Sequence, residues 1–276
     1  MNVVGLSRSG ACAECNEALR IDLADNVPDL SSAGPDDVLV HLAAKAHDRK
    51  ATPEAFVRGT VQVARNVAQG LAQSSIRRVI HVSSIGARVA LEEGHKARLY
   101  GRMKLEAEQA FKNWSAASRN QIVTLRPPAV FGAGAPGNIA FLRRLVRSGL
   151  PLPLGKATGR RSYLHVDDLA ELILRLSALS DETFSRLDGD ILEPSHACAI
   201  STRELAQAVA IAQQRNVTLL PVPRSVMEIV GKLTGRQDLV DGAFDPLVAR
   251  QSDRLREVVG WQAERPVVSG VDECGD

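Results

Sequence analysis

Residues 77–84, Arg-Arg-Val-Ile-His-Val-Ser-Ser, restrict the fold more than any other stretch of this chain. Val79, Ile80 and Val82 form a short apolar run rich in β-branched side chains, which reads as a buried strand. It ends in Ser83 and Ser84, so hydroxyls stand at the strand's C-terminal end. In open α/β sheets that edge is where ligands bind. Downstream, the pattern predicts an amphipathic helix from Tyr100 to Phe111. Tyr100 and Lys104 are four residues apart on it and share one face.

That spacing suits proton transfer. A phenol with an ordinary pKa of ~10 is a poor base at neutral pH. An ammonium one turn away would stabilise the phenolate and lower that pKa. A nearby serine hydroxyl can hydrogen-bond the reacting alcohol oxygen. Ser84, Tyr100 and Lys104 are therefore the candidate catalytic set for a hydride-transfer site served by a nicotinamide. Tyr-x-x-x-Lys also arises by chance in many helices, and the upstream Ser-Ser strand is what raises its weight here.

Strands and helices alternate along the chain. Asn2–Leu6 reads as a strand, Ile21–Leu23 as a second strand or its edge, and Asp36–Ala44 as a buried strand running into small residues. Pro53–Gln73 reads as one long helix, because Phe56, Thr60, Val63, Val67 and Leu71 recur at helical spacing. After the central strand, Leu91–Leu99 reads as a loop or short helix. Gln121–Leu125 is a strand ended by Pro127 and Pro128, and Phe131–Asn138 is a glycine-rich loop without the Gly-Lys-Ser/Thr ending of a phosphate cradle. Ile139–Ser148 is a helix, Ser162–Val166 a strand, and Asp167–Leu179 a helix with acidic residues at its start. Thr202–Gln213 is a helix capped by Ser201, Asn216–Leu220 is a short strand, and the tail from Val267 is polar. Alternation of this kind predicts an α/β fold with a Rossmann-like, doubly wound parallel sheet. The expected division is a dinucleotide-binding domain over 1–130 and a smaller substrate lobe over 131–276, with 162–179 packing back on the core.

Composition narrows the function. Aromatic residues are 4%, which argues against a base-stacking platform, and 34 Lys and Arg against 32 Asp and Glu leave a formal charge of +2 with no basic block. Nucleic acid is therefore not an expected partner. Of the four cysteines, Cys12 and Cys15 form one Cys-x-x-Cys, while Cys198 and Cys274 are solitary. A zinc site needs a second ligand pair, so no metal is expected and free thiols in a reducing cytosol are the favoured reading. No leader or membrane-spanning run is seen in the sequence, and a cytoplasmic location is expected.

Several segments, taken in order, resemble the extended short-chain dehydrogenase/reductases, in particular the NAD-dependent epimerase/dehydratase branch that includes UDP-glucose 4-epimerase. They are His41–Ala44, Arg77–Ser84, Tyr100–Glu108, Leu125–Gly132, Gly137–Asn138, Gly149–Pro153, Arg161–Leu169 and Gly260–Trp261. The resemblance implies Ser84 as hydroxyl donor, Tyr100 as acid/base, and Lys104 as a cofactor-ribose contact that tunes Tyr100. It places Arg8, Asp22, Leu23, Leu42, Ala43, Ala44, Tyr100, Lys104 and Pro127 around NAD or NADP, and Ser84, Asn138 and Arg161 around a nucleotide-sugar substrate, UDP-linked. Arg8 follows the first strand where NAD-preferring relatives usually carry an acid, so it is a candidate 2′-phosphate partner. A homodimer through helices like those at 53–73 and 100–113 is expected by analogy.

The sequence also departs from that family. The Gly-x-x-Gly-x-x-Gly strand–turn that opens the family is absent from residues 1–276, and Met1–Leu6 resembles the family's second strand. Without the strand between them, Asn2–Leu6 and Val38–Leu42 are expected either to close up and pair or to leave the fold molten. On that reading residues 1–276 alone would bind neither cofactor. Thr60 stands where an Asn is usual and Met103 where a Ser is usual. Ile85 and Gly86 replace the Asp-Glu of 4,6-dehydratases and cannot move protons. The expected activity is a nucleotide-sugar 4-epimerase working through a 4-keto sugar. The alternatives are a one-way ketoreductase and a truncated, non-catalytic sugar-nucleotide binder.

Overall fold

A computed structural model describes residues 2–12, 14–45, 52–117, 120–132 and 138–267, the side chains of Lys96 and Asn138 excepted. The elements begin with β1 (Val4–Ser7), β2 (Glu17–Arg20) and β3 (Val38–His41). Then come α1 (Pro53–Phe56), a π-helical stretch Val57–Gln62, α2 (Val63–Leu71), β4 (Arg78–Val82), α3 (Ile85–Glu93), α4 (Leu99–Ala116) and β5 (Gln121–Leu125). The chain continues with β6 (Ala129–Phe131), α5 (Asn138–Arg147), β7 (Arg160–Arg161), β8 (Tyr163–His165), α6 (Val166–Ser177) and α7 (Asp181–Ser185). It ends with β9 (Ile191–Leu192), β10 (Ile200–Ser201), α8 (Thr202–Ala212), α9 (Arg224–Leu233), α10 (Gln237–Phe244) and α11 (Arg254–Val259). Two compact units result: Met1–Arg126 with Leu176–Leu192, and Pro127–Arg175 with Glu193–Asp276.

The first unit holds two parallel sheets. One has the order β3-β4-β5-β9 and the other pairs β1 with β2. Every residue of β4 is buried, as its apolar run predicts. Val63, Val67 and Leu71 recur every fourth residue, so α2 lays one face on Val79 and Ile122, and Phe111 and Trp114 of α4 join the same core. Arg78 is buried at the start of β4. It donates to the Leu179 carbonyl at 2.7 Å and lies 3.2 Å from Asp181, at the start of α7, so an ion pair anchors the returning segment 176–192.

Several expectations are corrected here. β1 and β3 do not close up and pair; β1 turns instead to β2, and the two strands lie in separate sheets. The second strand is Glu17–Arg20 rather than Ile21–Leu23. All four of its residues are exposed, so no apolar alternation marked it. The helix expected over Pro53–Gln73 widens at Val57–Gln62. That wider turn offers the Gly59 carbonyl (2.9 Å) and the Thr60 hydroxyl (3.2 Å) to the Lys45 amide, tying the segment after β3 to the helix. Leu91–Leu99, expected as a loop or a short helix, holds the end of α3, which already begins at Ile85, and a short 3-10 turn over Gly94–Lys96. Cys12 and Cys15 form a disulfide rather than free thiols.

In the second unit, Ile139, Leu142 and Val146 of α5 meet Leu205, Ala206 and Val209 of α8 around Phe131 and Tyr163. Ser201 caps α8 in a reciprocal capping box with Glu204, as expected from its position. Asn216–Leu220 forms no strand, only an isolated pairing of Leu219 with Leu152. Residues 133–137 of the glycine-rich loop and the tail after Val267 lie outside the described residues. No helix among the described residues is long and apolar enough to cross a membrane.

Candidate active site

β4 delivers Ser83 and Ser84 to its C-terminal end, and Ser84 becomes the N-cap of α3. Its Oγ accepts from the Gly86 amide at 3.1 Å. The first turn of α4 then crosses the start of α3 at a pair of glycines. A side chain at Gly101 would bring its Cβ to 2.9 Å from the Gly86 carbonyl carbon. Only a bare backbone at Gly101 allows that approach, and it brings Tyr100 to Ser84. The two hydroxyls share a hydrogen bond, and both residues are half-buried, open to a reactant.

Lys104 sits one turn further along α4 and is buried, with Nζ donating to the Val82 carbonyl at 2.9 Å. Its pKa is lowered from the ordinary 10.5 to about 8 by burial, with Glu108 acting the other way. The expectation that Lys104 would lower the Tyr100 pKa is corrected. Burial pushes the phenol up and its hydrogen bond with Ser84 offsets part of that, while the Lys104 ammonium gives one hydrogen bond to the Val82 carbonyl. A phenol so placed favours its neutral form.

Three further residues complete this corner and were not singled out from sequence. Glu108, one turn beyond Lys104, accepts from the Ser83 hydroxyl and from Arg126 twice, at 2.9 Å and 2.6 Å. All three are buried. This bidentate pair locks the end of β4 to α4 and to the residue after β5. The i, i+4 step from Lys104 to Glu108 was the one sequence signal available for it. Beneath them, His41 of β3 and His81 of β4 meet Nδ1 to Nδ1 at 3.1 Å against the Phe111 ring. Burial first, and then the Lys104 charge, holds His41 at about 3, and burial holds His81 well below its ordinary value, so both rings are neutral.

The residues expected around the cofactor divide. Arg8 and Arg20, at the C-terminal ends of β1 and β2, line one open depression of about 730 Å³ together with Asp22 and Asp29. Asp22 Oδ1 accepts from the Ala24 amide at 3.0 Å, and the Leu23 carbonyl accepts from Asn66 at 2.9 Å, with the Leu23 side chain in the core. Leu42 is 61% exposed just past β3, and Ala43 and Ala44 are half-buried beyond it. An apolar surface and two small residues at the end of a parallel strand fit a flat ring, and two guanidiniums beside a carboxylate fit an adenosine ribose or its phosphate. Pro127, Asn138 and Arg161 belong to the second unit. Asn138 opens α5, and Arg161 donates to the Asp245 carbonyl at 2.8 Å. No group of three or more His, Cys, Asp or Glu that could hold a metal occurs among the described residues.

Parallel βα units with a serine, a tyrosine and a lysine gathered at the strand ends define a Rossmann-type α/β fold with a candidate proton-transfer site. The family model described as "NAD dependent epimerase/dehydratase family" matches residues 1–185. The chain is 32% identical over 255 residues to a UDP-glucose 4-epimerase of Vibrio cholerae, covering 84% of this chain and 74% of that protein. A shorter match, 28% over 116 residues, is to a dTDP-L-rhamnose 4-epimerase of Burkholderia thailandensis, covering 39% of this chain and 31% of that one. Among solved structures, UDP-glucuronic acid 4-epimerase of Bacillus cereus with NAD is similar, with a TM-score of 0.71 at 14% identity over 99% of this chain and 88% of that one. RMD of Pseudomonas aeruginosa with NADPH is similar at 0.70 and 19%, over 99% and 97%. The chain belongs to the NAD-dependent epimerase/dehydratase family.

Proposed function

We propose that this protein is a nucleotide-sugar 4-epimerase, with Tyr100 as the acid/base. The observation that carries the reading is the Ser84–Tyr100 hydrogen bond at the C-terminal end of β4, with buried Lys104 one helical turn away. A nicotinamide dinucleotide, when bound, supplies the acceptor and donor of the sugar's C4 hydride. Tyr100 acts as the base in its phenolate form: the phenolate takes the 4-hydroxyl proton beside Ser84, becomes a phenol, and gives that proton back to the 4-keto oxygen once the sugar has presented its other face. Ser84 hydrogen-bonds the reacting oxygen, so that oxygen is held where Tyr100 reaches it. Lys104 contributes a positive charge to this corner at neutral pH and stands ready for a ribose hydroxyl. Arg8 and Asp22 are assigned to the adenosine end of the dinucleotide, with Leu42, Ala43, Ala44 and Pro127 along it. Asn138 and Arg161 are assigned to the diphosphate of a UDP-linked sugar.

The relatives named above support a UDP-sugar substrate. Purified protein with NAD or NADP should convert one of a panel of UDP-hexoses into its C4 epimer, separated by chromatography. Tyr100→Phe should lower turnover by ~10²-fold or more. Near-normal turnover in that variant would remove Tyr100 from the mechanism.

A further inference from the structure

We propose that Cys12 and Cys15 form a thiol–disulfide exchange site, opened by a dithiol reductant, whose state sets the conformation of the segment carrying Arg8. The bridge joins residues three apart with Cα atoms 5.3 Å apart, and it lies in the connection from β1 to β2. Parallel strands ordinarily need a crossover of about a dozen residues or more, usually containing a helix. Here only 8–16 make the crossing, and no helix falls within the described part of it. What packs the crossing onto the sheet is the disulfide. A Cβ at Gly5 of β1 would lie 2.7 Å from Cys15 Sγ, 3.1 Å from Cys12 Cβ and 3.3 Å from Cys12 Sγ, so the bridge lies flat on bare backbone.

Both ends of the crossing run directly into the bridged stretch, so the turn that carries Arg8 is held jointly by its own hydrogen bonds and by the bridge. At the near end the Gly10 amide donates to the Ser7 carbonyl (3.3 Å) and to Ser7 Oγ (3.1 Å), with Gly10 at φ +68°, in the left-handed region. At the far end the Asn16 amide donates to the Val3 carbonyl at 2.9 Å, and the Val3 amide donates to Asn16 Oδ1 at 2.8 Å. The bridge is what holds the stretch between these pins. Two separate thiols are bulkier than one bonded pair, so they cannot both keep the seat on Gly5. Arg8 stands between Ser7 and Gly10 and lines the depression with Arg20. Cys12 and Cys15 are half-buried beside exposed Ala11 and Glu14, so a reductant reaches them.

The exchange balances. A thiolate of the donor attacks one bridge sulfur and the S–S bond breaks, giving a mixed disulfide and a free cysteine thiolate, which takes a proton. The donor's second thiol then displaces the remaining cysteine. Two electrons and two protons pass from the donor dithiol to Cys12 and Cys15, and the donor leaves as a disulfide.

The link to cofactor binding rests on the assignment of Arg8 made above, so the test keeps the two apart. Protein prepared without reductant is treated with iodoacetamide before and after dithiothreitol, and labelled residues are identified by mass spectrometry. Cys12 and Cys15 should be labelled only after reduction, with the exposed Cys198 labelled in both samples. Trypsin cleavage after Arg8 should be several-fold faster in the reduced protein and in Cys15→Ser. Labelling of both cysteines before reduction, or equal cleavage rates in the two states, would overturn the proposal. NADP affinity should differ between the two states by on the order of 5-fold or more, and Arg8→Ala should abolish that difference. If labelling and cleavage change as stated while Arg8→Ala leaves the NADP difference intact, the exchange site stands and the assignment of Arg8 is what fails.

Discussion

Replacing Gly101 by alanine tests how the site is assembled. The added Cβ would lie 2.9 Å from the Gly86 carbonyl carbon, and nearer still to its oxygen. Carbon pairs pack best at ~3.5–4.0 Å, so the start of α4 must retreat from α3 by roughly 0.6–1 Å. Tyr100 is the preceding residue and moves with it, away from Ser84. A displacement of ~1 Å at a reacting group costs ~10²-fold in turnover. Stability should change less, because overpacking at ~1–3 kcal/mol is partly offset by the ~1 kcal/mol helix advantage of alanine over glycine. The mirror substitution is the control. A Cβ at Gly86 would meet Gly101 Cα at 3.5 Å, which is ordinary contact, so Gly86→Ala should keep near-normal turnover. The assay is steady-state epimerisation of the best UDP-hexose, with thermal melts on each variant. Equal activities for the two variants, or a fully active Gly101→Ala, would refute the reasoning.

Other outcomes follow from the same geometry. Arg126→Met strands the buried Glu108 carboxylate and should cost about 3–5 kcal/mol in urea unfolding, while Glu108→Leu combined with Arg126→Met should recover most of it. Lys104 is protonated below its pKa, which lies at about 8 rather than 10.5, so kcat/KM should fall as pH rises through about 8. Lys104→Arg should move that limb to higher pH, and a flat profile between pH 7 and 9 would dismiss a role for the cation. Arg8→Ala should weaken NADP binding more than NAD binding in calorimetric titrations; equal effects would assign Arg8 to the solvent.

Much of this was legible in the chain because local rules agreed with the fold. The β-branched run before Ser83, the fourth-residue repeat of Val63, Val67 and Leu71, and the Ser201 cap each carry a signal that survives without tertiary context. β2 was misplaced because a strand exposed along its whole length has no apolar pattern. α3 was missed because Ile85-Gly86-Ala87-Arg88 has no clear period, and its start is fixed by the Ser84 cap. The direction of the Tyr100 shift could not be read at all, since it depends on burial, which the hydrogen bond with Ser84 offsets only in part. The Glu108–Arg126 pair was hidden for a related reason: charged residues are ordinarily solvated, and nothing local marks the rare buried ones. The Cys12-x-x-Cys15 spacing was read as free thiols, and the bridge seated on Gly5 overturns that reading.

The central claim is that one corner, built from Ser84, Tyr100 and Lys104, oxidises and re-reduces a sugar at C4 without releasing it. A UDP-hexose carrying deuterium at C4 tests this directly, with the C4 epimer analysed by NMR and mass spectrometry. The account predicts that the epimer forms with deuterium retained at C4, and that Tyr100→Phe forms it at least ~10²-fold more slowly. Epimer in which the C4 deuterium has exchanged for solvent hydrogen, or an oxidised sugar released as the only product, would contradict it.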